Sequence, residues 1–422
     1  MPFSFSTALS GLRASTEAIG VSGNNIANAN TTAFKSGSIT FSDIFSDSLG
    51  VRLNGAGTPL QVGGGVRTAA IATNFAQGSL IESGSTSAAI QGAGFFVVKD
   101  GSGFTSYTRA GDFGLDNEGF LLTPNGERVQ GYAAVNGAIP PGSLITDIKF
   151  PVGETLAPRA TTSASLRMNL NSADAAGSAF HAPVQVFDSK GVSHTLDMVY
   201  AKQPDGSFLM STTMDGNPAQ TSVDGGAATT NPVSFQFDSN GKLTSPKSLT
   251  VLPDQTTLSG AALPSIDIGL NVKNPDGTLG EGIVTNFAAA SAVASTLQDG
   301  FAAGTLAGIS LSTDTSGTVY SVFSNGETRP VAQFAIANFN AQTGLRHTGG
   351  NLYQETPASG QPSIGAGGTG GRGQVVGGML EQSNVDLAGE FTNLIVAQRG
   401  FQANSRVITT INQTMQDLIQ SI

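Results

Sequence analysis

The sequence predicts an α+β multidomain protein: a coiled coil of the two terminal helices carrying mainly-β outer domains, with one β domain inserted into another. Three observations predict this. Apolar residues recur at heptad spacing at both ends of the chain. Between the ends, short apolar runs alternate with turn dipeptides. The composition, with 55 Gly, 24 Phe, no Trp and 12% charged residues in 422, is rich in turns and uncharged polar side chains.

The strongest periodicity lies at the end of the chain. Leu387, Leu394, Phe401, Ile408, Met415 and Ile422 are spaced by one heptad, and Ala397, Ile411 and Leu418 fill the companion positions. Only Glu390 and Asn404 break this seam. A helix of this length runs about 55 Å, so its seam needs a partner. Ser383 or Asn384 would cap its start. The beginning of the chain offers the partner: Phe5, Leu12, Ile19 and Ile26 repeat in the same way, with Leu9, Thr16 and Gly23 between them. Gly20, Gly23, Asn24 and Asn25 weaken the intrinsic helicity of this stretch. The pair is therefore expected to be marginal alone and to be completed by neighbouring copies. An ordinary intramolecular stalk is the alternative that the spacing leaves open.

The intervening chain divides by pattern. Residues 1–33 and 384–422 are the paired helices, and 34–70 with 362–383 an extended connecting arm. Residues 71–139 with 297–361 are a β domain, and 140–296 an inserted outer β domain. In the arm, Phe34, Phe41 and Phe45 are too many for a free linker and should dock. In the first β domain, Phe95 to Val98 read as a buried strand, and Asn125-Gly126 has type I′ hairpin chemistry; Asn325-Gly326 marks another tight turn in its second half. In the insert, apolar and polar residues alternate on both sides of Ser189-Lys190-Gly191 and around Asp205-Gly206, as in antiparallel strands. Residues 359–378 read as a loose return to the terminal helix.

Several function classes are disfavoured. A net charge of −10 argues against nucleic acid or an anionic membrane as partner, and no apolar run is long enough to insert into a bilayer. Without cysteine there are no disulfides or thiolate metal sites. The first residues lack a cleavable leader pattern. The string GAGGTG at Gly365 to Gly370 matches a dinucleotide fingerprint but has no strand before it and no helix after it. His181, His194 and His347 stand apart, and Asp112, Asp116 and Glu118 miss the calcium-loop periodicity. No catalytic, metal or cofactor residues are therefore assigned. The assembly seams are assigned to Phe5, Leu9, Leu12, Ile19, Ile26, Leu387, Leu394, Ala397, Phe401, Ile408, Ile411, Met415 and Leu418. The last helix also carries an uncharged amide and hydroxyl face, where solvated helices more often carry Glu and Lys. Asn404, Gln413, Gln416 and Gln420 are its channel-facing or intersubunit candidates.

Five stretches carry a resemblance: LSGLRASTEAIGVSGNNIANANTTAFKS from Leu9, TNFAQGSLIESG from Thr73, GAGFFVV from Gly92, YTRAGDFGLDNEGFLLTPNGERVQGY from Tyr107, and LEQSNVDLAGEFTNLIVAQRGFQANSRVITT from Leu380. By these the chain resembles the flagellar axial family of rod and hook proteins, and most closely its hook members. In the insert only VFDSKGVSHTL is similar, but rod members are much shorter, which favours the hook. The resemblance implies a structural subunit without enzymatic activity or cofactor, forming a hollow helical homopolymer. It also implies an extracellular place in the hook and basal body, reached without a cleaved signal peptide. The implied partners are copies of itself, the distal rod protein, the hook-filament junction protein, the hook cap protein and the flagellar export apparatus. Another axial protein of the distal rod or junction, and a surface adhesin on a coiled-coil stalk, are the alternatives. A glycan-acting enzyme is disfavoured because no carboxylate pair stands out.

Overall fold

The computed structural model describes residues 2–45, 63–135, 137–140, 142–254, 261–273, 279–311 and 316–420. The chain divides into two compact units: residues 1–152, 308–321 and 329–422 form the first, and 153–307 with 322–328 the second. The division falls at 153 and 307, later than the 140 and 296 expected from composition.

In the first unit, helix α1 spans Pro2–Ala27 and helix α2 spans Leu387–Gln420; the 34 residues of α2 rise about 51 Å. The two lie along one another. Strands β1 (Gly37–Phe45) and β2 (Gly63–Thr73) form an antiparallel hairpin, with Ile39 opposite Ile71, and the hairpin packs on α1. Ser10 Oγ accepts the Val66 N–H at 3.1 Å, and Thr68 donates to Glu17. Part of the presumed arm is thus regular sheet. Phe34 is half-buried and Phe41 lines a cleft beside the helices, while the side chain of Phe45 lies outside the described residues.

The β part of this unit is built around Phe95–Lys99, whose neighbours on the two edges are Thr105–Thr108 and the Arg128–Ala133 and Ile336–Asn338 strands. Burial on both faces explains the unbroken apolar run. Phe95 and Val97 face Tyr107, Phe339 and Tyr353, with Phe75 against them, while Phe96 meets Phe113 and Phe334 edge-on at 5.1 and 5.3 Å. The turn at Asn125-Gly126 differs from the type I′ expectation. Only Gly126 has positive φ, and Gly126 N–H bonds Thr123 C=O at 2.9 Å. Pro124 sets φ near −65° at the first central position, which selects a type I turn followed by a left-handed glycine. The stretch from Ser359 is also less loose than its composition suggested: Ser363–Gly365 pairs with Ile336–Asn338, and Gln374–Gly377 with Ala88–Gln91.

The second unit is a two-sheet sandwich. The Ala179–Phe187, Ser193–Lys202 and Phe208–Met214 strands run antiparallel in succession, and every second residue points inward: Ala182, Val184 and Val186, then Leu196, Met198 and Tyr200. They meet Leu166, Met168, Val251, Ile266 and Ile268 of the other sheet in one core, which is the period-2 pattern read in the sequence. Asp299 ties the two ends of this unit together. It accepts from Thr162 and Ser163 N–H at 2.8 and 2.9 Å and pairs with Arg159 at 3.1 Å.

Candidate functional site

The site has two parts, the paired terminal helices and the junction that anchors them to the β scaffold. The side of α1 turned towards α2 is made of small residues. A Cβ on Gly11 would stand 2.8 Å from Asn404 Nδ2, and one on Gly400 would stand 3.1 Å from Ser15 Oγ. Ala8, Ala14, Ser22 and Asn25 are buried. On α2, Glu390, Asn393, Val396, Ala397, Gly400 and Asn404 line the cleft beside α1 and the hairpin. The seam therefore differs from the expected one: Glu390 and Asn404, which break the apolar heptad, both take part in the intramolecular contact, Glu390 bonded to Asn25 and Asn404 beside Gly11. Small side chains let the two backbones approach closely where Asn404 meets Gly11 and Gly400 meets Ser15, while Phe5, Leu387, Phe401 and Met415 turn outward. Asn25 fixes the stagger, donating to Gly37 C=O at 2.8 Å and Glu390 Oε1 at 3.0 Å and accepting from Gly37 N–H at 2.9 Å.

The assigned seam residues accordingly fall into two groups. Leu9, Leu12, Ile19, Ile26, Leu394, Ala397, Ile408 and Ile411 are half-buried. Phe5, Leu387, Phe401 and Met415 are exposed, by 37% to 45%. Ile422 and the side chain of Leu418 lie outside the described residues. Sequence reasoning missed Phe391 and Ile395, each 50% exposed. With Leu387 they form an i, i+4, i+8 row, which a strict heptad template skips. Of the polar candidates, Gln413, Gln416 and Gln420 are exposed, whereas Asn404 is turned against α1 and donates to Gly400 C=O at 3.0 Å.

The junction is a buried charge cluster that the sequence reading did not single out. Glu381 accepts from Lys35 Nζ at 2.6 Å and Gly78 N–H at 2.8 Å on Oε1, and from Arg109 Nε at 2.8 Å on Oε2. The side chains of Lys35, Arg109 and Glu381 are 1%, 5% and 0% exposed. Lys35 also donates to Ala76 C=O, and Arg109 to the carbonyls of Ile90, Gly92 and Gly94. Burial alone would raise the Glu381 carboxyl. The charges and hydrogen bonds of Arg109 and Lys35 outweigh it and hold the carboxyl below its usual 4.5. Burial lowers the Lys35 ammonium, and Glu381 offsets this only in part.

Local structure brings these groups together. The Met379–Glu381 strand pairs with strand β3 (Leu80–Glu82). Ala33, in the left-handed region at φ 56°, donates its N–H to Glu381 C=O at 2.8 Å. Asn384, expected as a helix cap, instead clamps the scaffold: its Oδ1 accepts Ser36 N–H and its Nδ2 donates to Asn74 and Ala76 carbonyls. The cap is Asp386, whose carboxylate accepts Ala388 N–H at 3.1 Å. Among the described residues no cluster of His, Asp and Glu could hold a metal ion, and no helix is long and apolar enough to cross a membrane.

Four family models match the chain: "Flagella basal body rod protein" over residues 5–35, "Flagellar hook protein FlgE/F/G D1 domain" over 89–162, "Flagellar basal body protein FlaE D2 domain" over 155–301, and "Flagellar basal body rod FlgEFG protein C-terminal" over 376–421. Terminal helices around β units and these four matches define a structural protein of the flagellar rod and hook class. The flagellar hook protein of Treponema pallidum is 34% identical, over 99% of this chain and 98% of its own. That of Salmonella typhimurium is 32% identical over 99% of both. Among solved structures, the Helicobacter pylori flagellar hook protein FlgE2 aligns with a TM-score of 0.48 at 16% identity, over 70% of this chain and 99% of its own. The chain belongs to the flagellar hook protein family, and it is a structural subunit of the hook.

Proposed function

We propose that copies of this chain assemble into the hollow, flexible hook that passes torque from rod to filament, and that the work is mechanical, with no catalytic step. The observation that supports this most directly is the open apolar row of Leu387, Phe391 and Ile395, which the single chain leaves to water although α1 lies alongside. Burying such a row against neighbouring copies removes apolar surface at about 25 cal/mol per Å². In this reading the helices form the inner tube, with Gln413, Gln416 and Gln420 facing the channel or a neighbour. The second unit supplies bending compliance through weak polar contacts. The distal rod, junction and cap proteins are its axial partners, and the flagellar export apparatus carries it out of the cell.

Electron microscopy of the concentrated, purified chain tests the assembly. The chain should form tubes, and the double variant Phe391→Ser/Ile395→Ser should not, while its unfolding free energy stays within about 0.5 kcal/mol of the parent per substitution, as for exposed positions. A double variant that forms tubes at the parent's threshold concentration would sink the proposal. Excising residues 163–298 and bridging Thr162 to Asp299, which already touch, should alter curvature or stiffness and leave polymerisation intact.

A further inference from the structure

We propose that the Lys35–Glu381–Arg109 cluster is a registration device: it selects the one alignment of the Met379–Glu381 strand that places α2 correctly along α1. The strand needs such a device. It makes three residue pairs with β3, Leu80 with Glu381, Ile81 with Leu380 and Glu82 with Met379, continued on either side by backbone bonds, Gln382 N–H to Ser79 C=O and Ser83 N–H to Gly378 C=O, and Gly377 and Gly378 precede it. Short, glycine-rich strands specify their alignment weakly, because a shifted strand forms the same backbone bonds. Gly78 adds to this tolerance. A Cβ there would lie 2.1 Å from Gln382 C=O, so the site accepts a close backbone whatever side chains that backbone carries.

The charges remove the ambiguity. The residues that a slip of one or two positions would bring to the place of Glu381 are Met379, Leu380, Gln382 and Ser383, and none is acidic. Every shifted alignment therefore leaves Lys35 and Arg109 buried with no carboxylate, a state that costs several kcal/mol. Asn384 also marks the alignment, but the two bonds its amide donates are exposed and the one it accepts from Ser36 N–H is only partly buried, so water can replace them. The helices convert the strand alignment into stagger. A slip of two strand residues moves the chain about 6.6 Å, close to the 5.4 Å of one helical turn. It would bring Val396 or Asn404 opposite Ser15 in place of Gly400 and separate Asn25 from Glu390.

A buried ion cluster can be replaced by apolar groups without loss of stability, which separates registration from stabilisation. The full chain has no cysteine, so engineered pairs report cleanly. Ser15→Cys with Gly400→Cys reads the native stagger, and Ser15→Cys with Val396→Cys or with Asn404→Cys reads the shifted ones. Each pair is placed in the parent and in the variant Lys35→Met/Arg109→Met/Glu381→Leu, and disulfide yield is measured in dilute solution together with thermal unfolding. The parent should favour the native pair. The apolar variant should unfold at a similar temperature while the ratio of native to shifted cross-link falls about a hundredfold or more, the equivalent of about 2.8 kcal/mol or more of alignment preference. A variant that folds and keeps the parent's ratio overturns the proposal. A variant that does not fold overturns it as well, because the cluster would then be a source of stability.

Discussion

Glu381→Gln keeps the shape of the side chain and removes its charge. The glutamine has one acceptor oxygen where the carboxylate offers two, so it cannot receive Lys35 Nζ and Gly78 N–H on one side and Arg109 Nε on the other. Its NH2 must point at one of these donors. Two cations then share an interior site with no anion, and breaking a buried pair in this way costs about 3–5 kcal/mol. For a unit of this size the loss corresponds to a fall of about 6–20 °C in the melting temperature, read by calorimetry. Hydrogen exchange should locate the weakening in residues 78–82 and 379–384, with the second unit's core unchanged. The pH dependence carries a sign. Because the folded carboxyl is held below 4.5, its contribution is complete above that pH and is lost as the pH falls through the folded value. The gap between parent and variant should therefore be full at neutral pH and narrow in acid. A fall below about 2 °C at neutral pH, or a gap that widens in acid, would refute the reasoning.

Asn25→Leu removes three hydrogen bonds at the stagger point between α1, β1 and α2 and leaves the Gly37 peptide without its partner. We expect a loss of about 2–3 kcal/mol in denaturant unfolding; a neutral result would show that water replaces the amide. In the second unit, Tyr200 is fully buried and burial pushes its phenol far above the usual value; its hydroxyl donates to Met198 Sδ at 3.9 Å. Tyr200→Phe should accordingly change stability by less than about 1 kcal/mol, in either direction, and a loss above about 2 kcal/mol would reveal a stronger partner for that hydroxyl.

How much of this was legible in the sequence depends on range. The terminal helices and the alternating strands around Ser189-Lys190-Gly191 are local patterns, set by side-chain period, and they are present in the structure where the spacing put them. The helix seam was misread because a heptad template scores large apolar residues. It placed Ala397 on the seam but passed over Gly11, Ser15 and Gly400, which make the contact by being small, because a stripe of small residues carries no hydrophobic signal. Asn384 looked like a cap because its type and position were right, and only the scaffold around Ser36 and Asn74 shows that its amide is used elsewhere. The Lys35, Arg109 and Glu381 cluster was invisible for a different reason. Each residue sits in polar or mixed sequence, and nothing in one segment signals the other two.

The spacing of that cluster along the chain has a consequence for synthesis. Arg109 and Glu381 are 272 residues apart, and Lys35 comes earlier still. A nascent polypeptide therefore acquires both cations long before the carboxylate that makes their burial tolerable. Until position 381 has been translated, closing the first unit would strand two positive charges in its interior, at a cost of several kcal/mol.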